Sequence, residues 1–314
     1  MKARKGFLFF LLMSGFTFLL HTGCESYEAK QKKYPDTPYR GSIRVSADES
    51  FKPVLDEFVM VYEGNHPKTK INIDYKPEAD CLKDMLNDSV RMVIVTRHTT
   101  EAEQDAIIDS LKIGPGCLTV ARDGIAVILN PEEEDSAFTM TEIRQILTGK
   151  FRKNLIPVFD GLKATSTVRF VIDSVLKGDS LTPKAMAART SAAVVDYVAQ
   201  NKGVIGFIGA SWIGNPEDTA QLSFLKKVKV ASVESTMFPG YYCKPLQAFI
   251  SVRLYPMVRD LDYVLREPHK GLGTGFANFM SGEIGQLLFK RTYLAPALKN
   301  FGLRPVRITE KSIR

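Results

Sequence analysis

From residue 41 onward the apolar positions switch between a period of two and a period near 3.6, the marks of strands and amphipathic helices. "SIRVS" (42–46) alternates as a short strand. Phe51, Val54, Leu55, Phe58, Val59 and Tyr62 then share one helical face, closed by Gly64 and Pro67. "KINIDYK" (70–76) alternates again, a helix is expected over 79–88, and "VRMVIVT" (90–96) reads as a buried strand. This βαβαβ rhythm predicts an α/β domain with a largely parallel sheet. Capping boxes open two more helices, Thr100 with Glu103 and Thr139 with Glu142, and Gly149 closes the second.

Beyond residue 116 the pattern stays mixed. "CLTVARDGIAVILN" (117–130) holds two apolar runs that Asp123-Gly124 divides. "VFDGLKATSTVRF" (158–170) predicts a strand, a turn at Asp160-Gly161 and the start of a helix running to Gly178. "LTPKAMAAR" (181–189) has a Thr cap and Pro at the first helical position, so a helix is expected there. "SAAVVDYVAQNKG" reads as a helix, "VIGFIG" as a strand, and residues 223–256 as short strands. "GTGFANFMSGEIGQLLFKR" (273–291) predicts one long helix, with a shorter one after Tyr293.

The first residues do not belong to this alternation. Lys2, Arg4 and Lys5 precede the uncharged run "GFLFFLLMSGFTFLL", and Thr22 and Gly23 precede Cys24. That is the layout of a secretory signal peptide over residues 1–23, too short for a comfortable membrane span. The Gly-Cys junction resembles a bacterial lipobox, with His21 where an aliphatic residue is usual, and implies lipidation at Cys24. Residues 24–40, polar with two prolines, read as a tether.

Composition narrows the function. At 45% hydrophobic and 25% charged, the 314 residues are ordinary globular material, enough for about two domains. Loss of residues 1–23 takes three of the 42 basic residues and no acid, leaving 39 against 35 acidic. That balance, with no basic block interleaved with aromatics, does not point to nucleic acid. Cys81, Cys117 and Cys243 fit no zinc or redox spacing, and His66, His98 and His269 are scattered, so no metal or cofactor is expected. The chain has no G-x-S-x-G elbow, HExxH or Walker loop, and "GLGTG" (271–275) reads as a helix entry. A binder rather than an enzyme is expected.

Three loops carry an anion-binding pattern. "SADESF" offers Ser46 and Ser50, "VTRHTT" offers Thr96 and Arg97, and "ATSTVR" offers Thr165, Ser166, Thr167 and Arg169. Hydroxyls at helix starts add donors to unpaired backbone N–H groups, and arginine adds a planar fork for two oxygens of a tetrahedral anion. Each loop alone would be an ordinary helix cap.

Taken in order, these segments resemble the phosphate-binding proteins of bacterial phosphate ABC importers. "ARDGIAVILNP" is similar to the family's "DGIAVIVNP" crossover, "LTGKFRKN" to its "TGKITNW" turn, and "VAQNKGVIGFIGASWI" to its "V..N.GAIGY" strand. "YPMVRDLDYVLREPHKGLGTGFANFMSGEIGQLLF" matches the family's C-terminal segment, and "ATSTVRF" stands where the family has a Gly-Ser-Gly-Thr loop. The resemblance covers about residues 41–305. It implies an α/β, two-lobed periplasmic-binding-protein fold of the second type, each lobe a mixed sheet flanked by helices, with two hinge crossovers. Lobe 1 would be 41–121 with 243–314, and lobe 2 would be 122–242.

The resemblance further implies a monomeric extracytoplasmic lipoprotein that captures inorganic phosphate and delivers it to inner-membrane ABC permease subunits, periplasm-facing or surface-exposed. Its implied ligand residues are Ser46, Asp48, Glu49, Ser50, Thr96, Arg97, Thr165, Ser166, Thr167 and Arg169. Departures stand out: Asp48-Glu49 replaces a Ser/Thr pair, Val168 holds the usual Arg position, and Ala164 and Ser166 replace glycines. Asp48 or Glu49 would accept the ligand's proton, or else only cap the helix. Cys117 and Cys243, both in the implied hinge strands, are a possible disulfide. Alternatives are another oxyanion, a sensor of the same fold, and, more remotely, a secreted phosphate-ester hydrolase.

Overall fold

The structure is a computed structural model and describes residues 35–298, apart from 88, 162–164 and 216. The signal segment, Cys24 and any helix beyond residue 298 lie outside the described residues.

The first half follows the predicted rhythm. β1 (Gly41–Asp48) runs through a 3-10 turn (Glu49–Phe51) into α1 (Lys52–Asn65), followed by β2 (Thr69–Lys76), α2 (Glu78–Asp84), β3 (Val90–Val95) and α3 (Glu101–Leu111). Then come β4 (Gly116–Leu129), β5 (Ala137–Phe138), α4 (Met140–Thr148) and β6 (Ile156–Phe159). α5 (Ser166–Phe170) continues as a π-helical stretch to Leu176, and β7 (Met186–Ala187), α6 (Ser191–Gln200) and β8 (Val204–Gly209) follow. The remainder is α7 (Thr219–Lys227), β9 (Lys229–Val230), β10 (Ser232–Glu234), β11 (Tyr242–Cys243), α8 (Gln247–Ser251), β12 (Val258–Leu265), α9 (Leu272–Ser281), α10 (Glu283–Arg291) and β13 (Ala295–Pro296).

One path of strands, β2-β1-β3-β12-β4-β8-β6-β7, links both lobes. β1 pairs parallel with β2 and β3, and β6 pairs parallel with β8 and β7. β12 is antiparallel to β3 and β4, and β4 is antiparallel to β8. β4 joins the halves: residues 116–124 pair with β12 and residues 125–129 with β8. Two main cores result. One gathers Val45, Phe51, Phe58, Ile94 and Phe276, the other Ile128, Ile146, Phe159, Val195 and Phe207. This is the two-lobed mixed α/β architecture that the sequence implied.

Several local expectations change. Asp123-Gly124 does not divide two strands. β4 is continuous, because Asp123 pairs across the ladder with Arg259 and needs no turn. Residues 181–189 form turns and the short β7 rather than a helix, since Met186 and Ala187 complete the sheet edge beside β6. The residues after Tyr293 supply β13, which pairs with β4. The end of the expected tether packs on the body: Asp36 is buried, accepts from Arg91 at 2.9 and 3.0 Å, and caps Leu272 N at 2.6 Å. Cys81, Cys117 and Cys243 are free thiols, so the Cys117–Cys243 pairing does not form.

The long C-terminal helix is two helices. Gly282 is extended (φ −75°, ψ 176°) and ends α9, and α10 then turns so that Gly285 lies against the end of α9. A Cβ on Gly285 would stand 2.1 Å from Phe279 O and 2.8 Å from Met280 Cα, both rigid backbone. Gly285→Ala is therefore expected to lower unfolding stability by about 1–3 kcal/mol. Urea denaturation would show a lower midpoint with an unchanged slope, and an unchanged midpoint would refute the tight junction.

Candidate functional site

The seam between the lobes is built around one guanidinium. Arg259, on β12, is buried, and its Nε and Nη2 donate to Asp123 Oδ2 on β4 at 3.1 and 2.9 Å. The two residues are direct cross-strand partners, so the ladder itself fixes the pair. Arg259 also lies 4.8 Å over the Phe51 ring. Space for it comes from Gly209 at the end of β8, where a Cβ would stand 2.9 Å from Nη2. Its remaining arm, Nη1, reaches α5 and donates to Ser166 Oγ at 2.6 Å and Thr167 Oγ1 at 3.4 Å.

Two more carboxylates, Asp48 and Asp160, lie in the field of this cation, and Glu49 stands beside them. Asp48 ends β1 and caps the next turn, accepting from Ser50 N at 2.9 Å through Oδ1. Its Oδ2 accepts from Ser166 N at 3.4 Å, across the seam. Glu49 Oε2 accepts from Ser191 Oγ of α6 at 3.2 Å. Asp160, just after β6, accepts from Ser191 Oγ at 3.2 Å and Ser50 Oγ at 3.4 Å through Oδ2. Its Oδ1 is buried, near the Thr165 side chain, and has no hydrogen-bond partner among the described residues. Ser50 is further tied to lobe 2 by its carbonyl, which accepts from Ser211 Oγ at 3.0 Å and Trp212 Nε1 at 2.8 Å. Thr165 accepts from Val168 N at 3.3 Å and so caps α5.

Asp48, Glu49, Ser50, Thr165, Ser166 and Thr167 thus converge. The other expected residues stand elsewhere. Ser46 Oγ donates to Asp84 Oδ2 at 2.5 Å, beside the Lys76–Asp84 pair. Arg97 forks onto Glu103 of its own helix start at 2.8 and 2.6 Å. Arg169 crosses the seam as a latch: Nε donates to Glu78 Oε2 at 2.5 Å, and Nη2 donates to Thr96 Oγ1 at 2.7 Å and Thr96 O at 3.1 Å. Thr96 N and Oγ1 both donate to Glu78 Oε1 at 2.7 Å. Burial works against the Glu78 charge, yet the Arg169 and Thr96 bonds hold its carboxyl below the usual range. A cavity of about 630 Å³ opens beside this latch, lined by Leu82, Leu86, Ile107 and Ile172 among others.

Arg259, Asp123, Asp160 and Ser191 escaped the sequence reading. Asp123-Gly124 and Asp160-Gly161 both look like turns, and Ser191 looks like part of a helix start. The usable signal was "VRDLDYVL", an apolar strand carrying charges on both faces.

The family model described as a PBP superfamily domain matches residues 32–283. The chain belongs to this superfamily. No curated protein sequence matches it. A putative phosphate ABC transporter substrate-binding protein with bound phosphate from Clostridium perfringens is similar in structure, with a TM-score of 0.68 and 19% identity, covering 82% of this chain and 100% of that one. An ABC-type phosphate transport receptor from Vibrio cholerae has a TM-score of 0.61 at 16% identity over 81% and 99%. PstS from Borrelia burgdorferi has 0.51 at 19% over 82% and 99%. At these identities the likeness is one of fold.

Within this PBP fold the seam is acidic. Three carboxylates, those of Asp48, Asp123 and Asp160, face the Arg259 guanidinium, and a fourth, Glu49, stands beside Asp48 and Asp160. Burial raises the Asp48 carboxyl. Burial and the Asp160 charge push Glu49 up to about 7, and burial and the Asp48 charge push Asp160 up to about 6. A carboxyl raised this way holds its proton more tightly when folded. Its contribution is full below the unfolded value, 4.5 for Glu49 and 3.8 for Asp160, and is lost as pH rises through the folded value. Thermal melts from pH 4 to 8 should therefore show the Glu49→Gln/Asp160→Asn chain gaining on the wild type as pH rises from about 4 to 7. Parallel melting curves across that window would rule out the raised carboxyls.

Proposed function

We propose that this chain is an extracytoplasmic solute-binding protein that closes its lobes over inorganic phosphate and presents the closed form to an ABC importer. Lobe 1 is residues 41–121 with 243–314 and lobe 2 is residues 122–242, with Cys24 carrying a lipid anchor. The observation that carries the reading is the buried Arg259 arm on Ser166 and Thr167, next to Asp160, which takes Ser50 from one lobe and Ser191 from the other and whose Oδ1 has no partner among the described residues. Two structural neighbours, the phosphate transport proteins from Clostridium perfringens and Vibrio cholerae, support it.

The guanidinium supplies charge and its Nη1 arm, and the hydroxyls turn to follow a tetrahedral ligand. With all four carboxyls ionised the seam would repel a dianion. A protonated Glu49 instead offers an O–H donor, and one carboxylate oxygen left bare accepts a hydrogen bond from a phosphate hydroxyl. Asp160 Oδ1 fits that acceptor better than Asp48, whose two oxygens already take N–H bonds. Sulfate has no proton to give and loses this bond. Catalysis is no part of the proposal.

Titration calorimetry of the anion-stripped protein tests it. Phosphate is expected to bind, with sulfate at least roughly tenfold weaker, the worth of one lost hydrogen bond. Phosphate affinity should rise as pH falls from 8 to 6, by up to about tenfold per pH unit for each proton taken up. Arg259→Lys keeps the charge but cannot both hold Asp123 and extend an Nη1 arm, and should weaken binding by about 1.5–3 kcal/mol, whereas Arg97→Ala should leave it unchanged. Absence of phosphate heat, or affinity that rises with pH, would overturn the reading.

A further inference from the structure

Away from the seam, the lobe 1 sheet brings together three side chains that the sequence keeps far apart. His98 follows β3, Cys117 lies on β4 and Asp262 on β12, and their ligand atoms all fall within 4.8 Å of one another. The ladder explains the placement. β12 lies between β3 and β4, with Asp262 opposite Val95 on one side and Thr119 on the other. A register shift between Leu261 and Asp262 leaves an extra residue on β4 and re-aims the aspartate.

Asp262 is fully buried. Oδ1 accepts from Thr119 Oγ1 at 2.6 Å and lies 3.5 Å from His98 Nε2. Oδ2 is buried with no partner among the described residues. Neither hydrophobic packing nor the ladder calls for a carboxylate with a bare oxygen beside a thiol and an imidazole.

We propose that His98, Cys117 and Asp262 form a binding site for a borderline-soft divalent cation of the zinc class. One nitrogen, one sulfur and one oxygen are the donor types that such an ion takes, with three protein ligands leaving a fourth position open. Tetrahedral Zn–N and Zn–O bonds separate their ligand atoms by about 3.3 Å, close to the His98–Asp262 distance. Thr119 Oγ1 lies 2.6 Å from Asp262 Oδ1 and 3.1 Å from His98 Nε2; an ion would take over its contact with His98 and leave it as the carboxylate's outer partner. The His98 side chain is 58% exposed, which gives the ion a route in from solvent. His98 lies two residues from Thr96, so an ion here would fix the loop that meets the Arg169 latch.

The full chain, isolated in detergent and stripped of metal, would be titrated with Co²⁺ and then Zn²⁺. We expect one equivalent of Co²⁺ to give a thiolate-to-cobalt charge-transfer band that Zn²⁺ removes. Cys117→Ser should abolish the band, Cys81→Ser should keep it, and His98→Ala should weaken Co²⁺ binding at least about tenfold. Asp262→Asn should do the same, and because that buried change risks the fold, the exposed His98 variant carries the test independently. Zn²⁺ should also raise the melting temperature of the wild type but not of His98→Ala. No band at one equivalent, or a band that survives Cys117→Ser, would overturn the proposal.

Discussion

The Arg259–Asp123 pair is the constraint on which the seam depends. Both groups are buried, so each would be costly alone, and removal of one partner from such a pair costs about 3–5 kcal/mol. They are affordable here because β4 and β12 deliver them as direct cross-strand neighbours. Asp123 occupies two N–H groups, which leaves Nη1 for lobe 2. The glycine at the end of β8 and the Phe51 ring then define the slot around the guanidinium. A single positive charge, anchored on the strands that join the lobes, thereby becomes the reference point for hydroxyls and carboxylates from both sides.

Much of the architecture was legible because it rests on local chemistry. The capping boxes at Thr100 and Thr139 form as the sequence specifies, and the apolar face from Phe51 to Tyr62 packs as a helix. Errors arose where a tertiary partner reverses local preference. Asp123 sits mid-strand because Arg259 satisfies it, and Thr182-Pro183 turns rather than starting a helix because Met186 and Ala187 are taken up by pairing with β6. Gly282 breaks what the apolar periodicity alone reads as one helix.

The candidate site was less legible than the fold. The hydroxyl loops were visible, since Ser and Thr cluster at predicted helix starts. Which arginine faces them was not, because that depends on how three separate segments cross. Arg97 and Arg169 have nearby acids, Glu103 and Glu78, that claim them first. His98, Cys117 and Asp262 meet only through a ladder whose register no spacing rule encodes.

The unbroken β4 carries a mechanical consequence. A loop hinge would let the lobes swing freely, but here the crossover is a paired ribbon, with β12 hydrogen-bonded along one half and β8 along the other. Separation of the lobes must flex this ribbon rather than rotate about a loose joint. The connection therefore behaves as a leaf spring: each displacement meets a restoring force, and the amplitude of opening is set by how far a twisted strand pair can bend before its ladder parts.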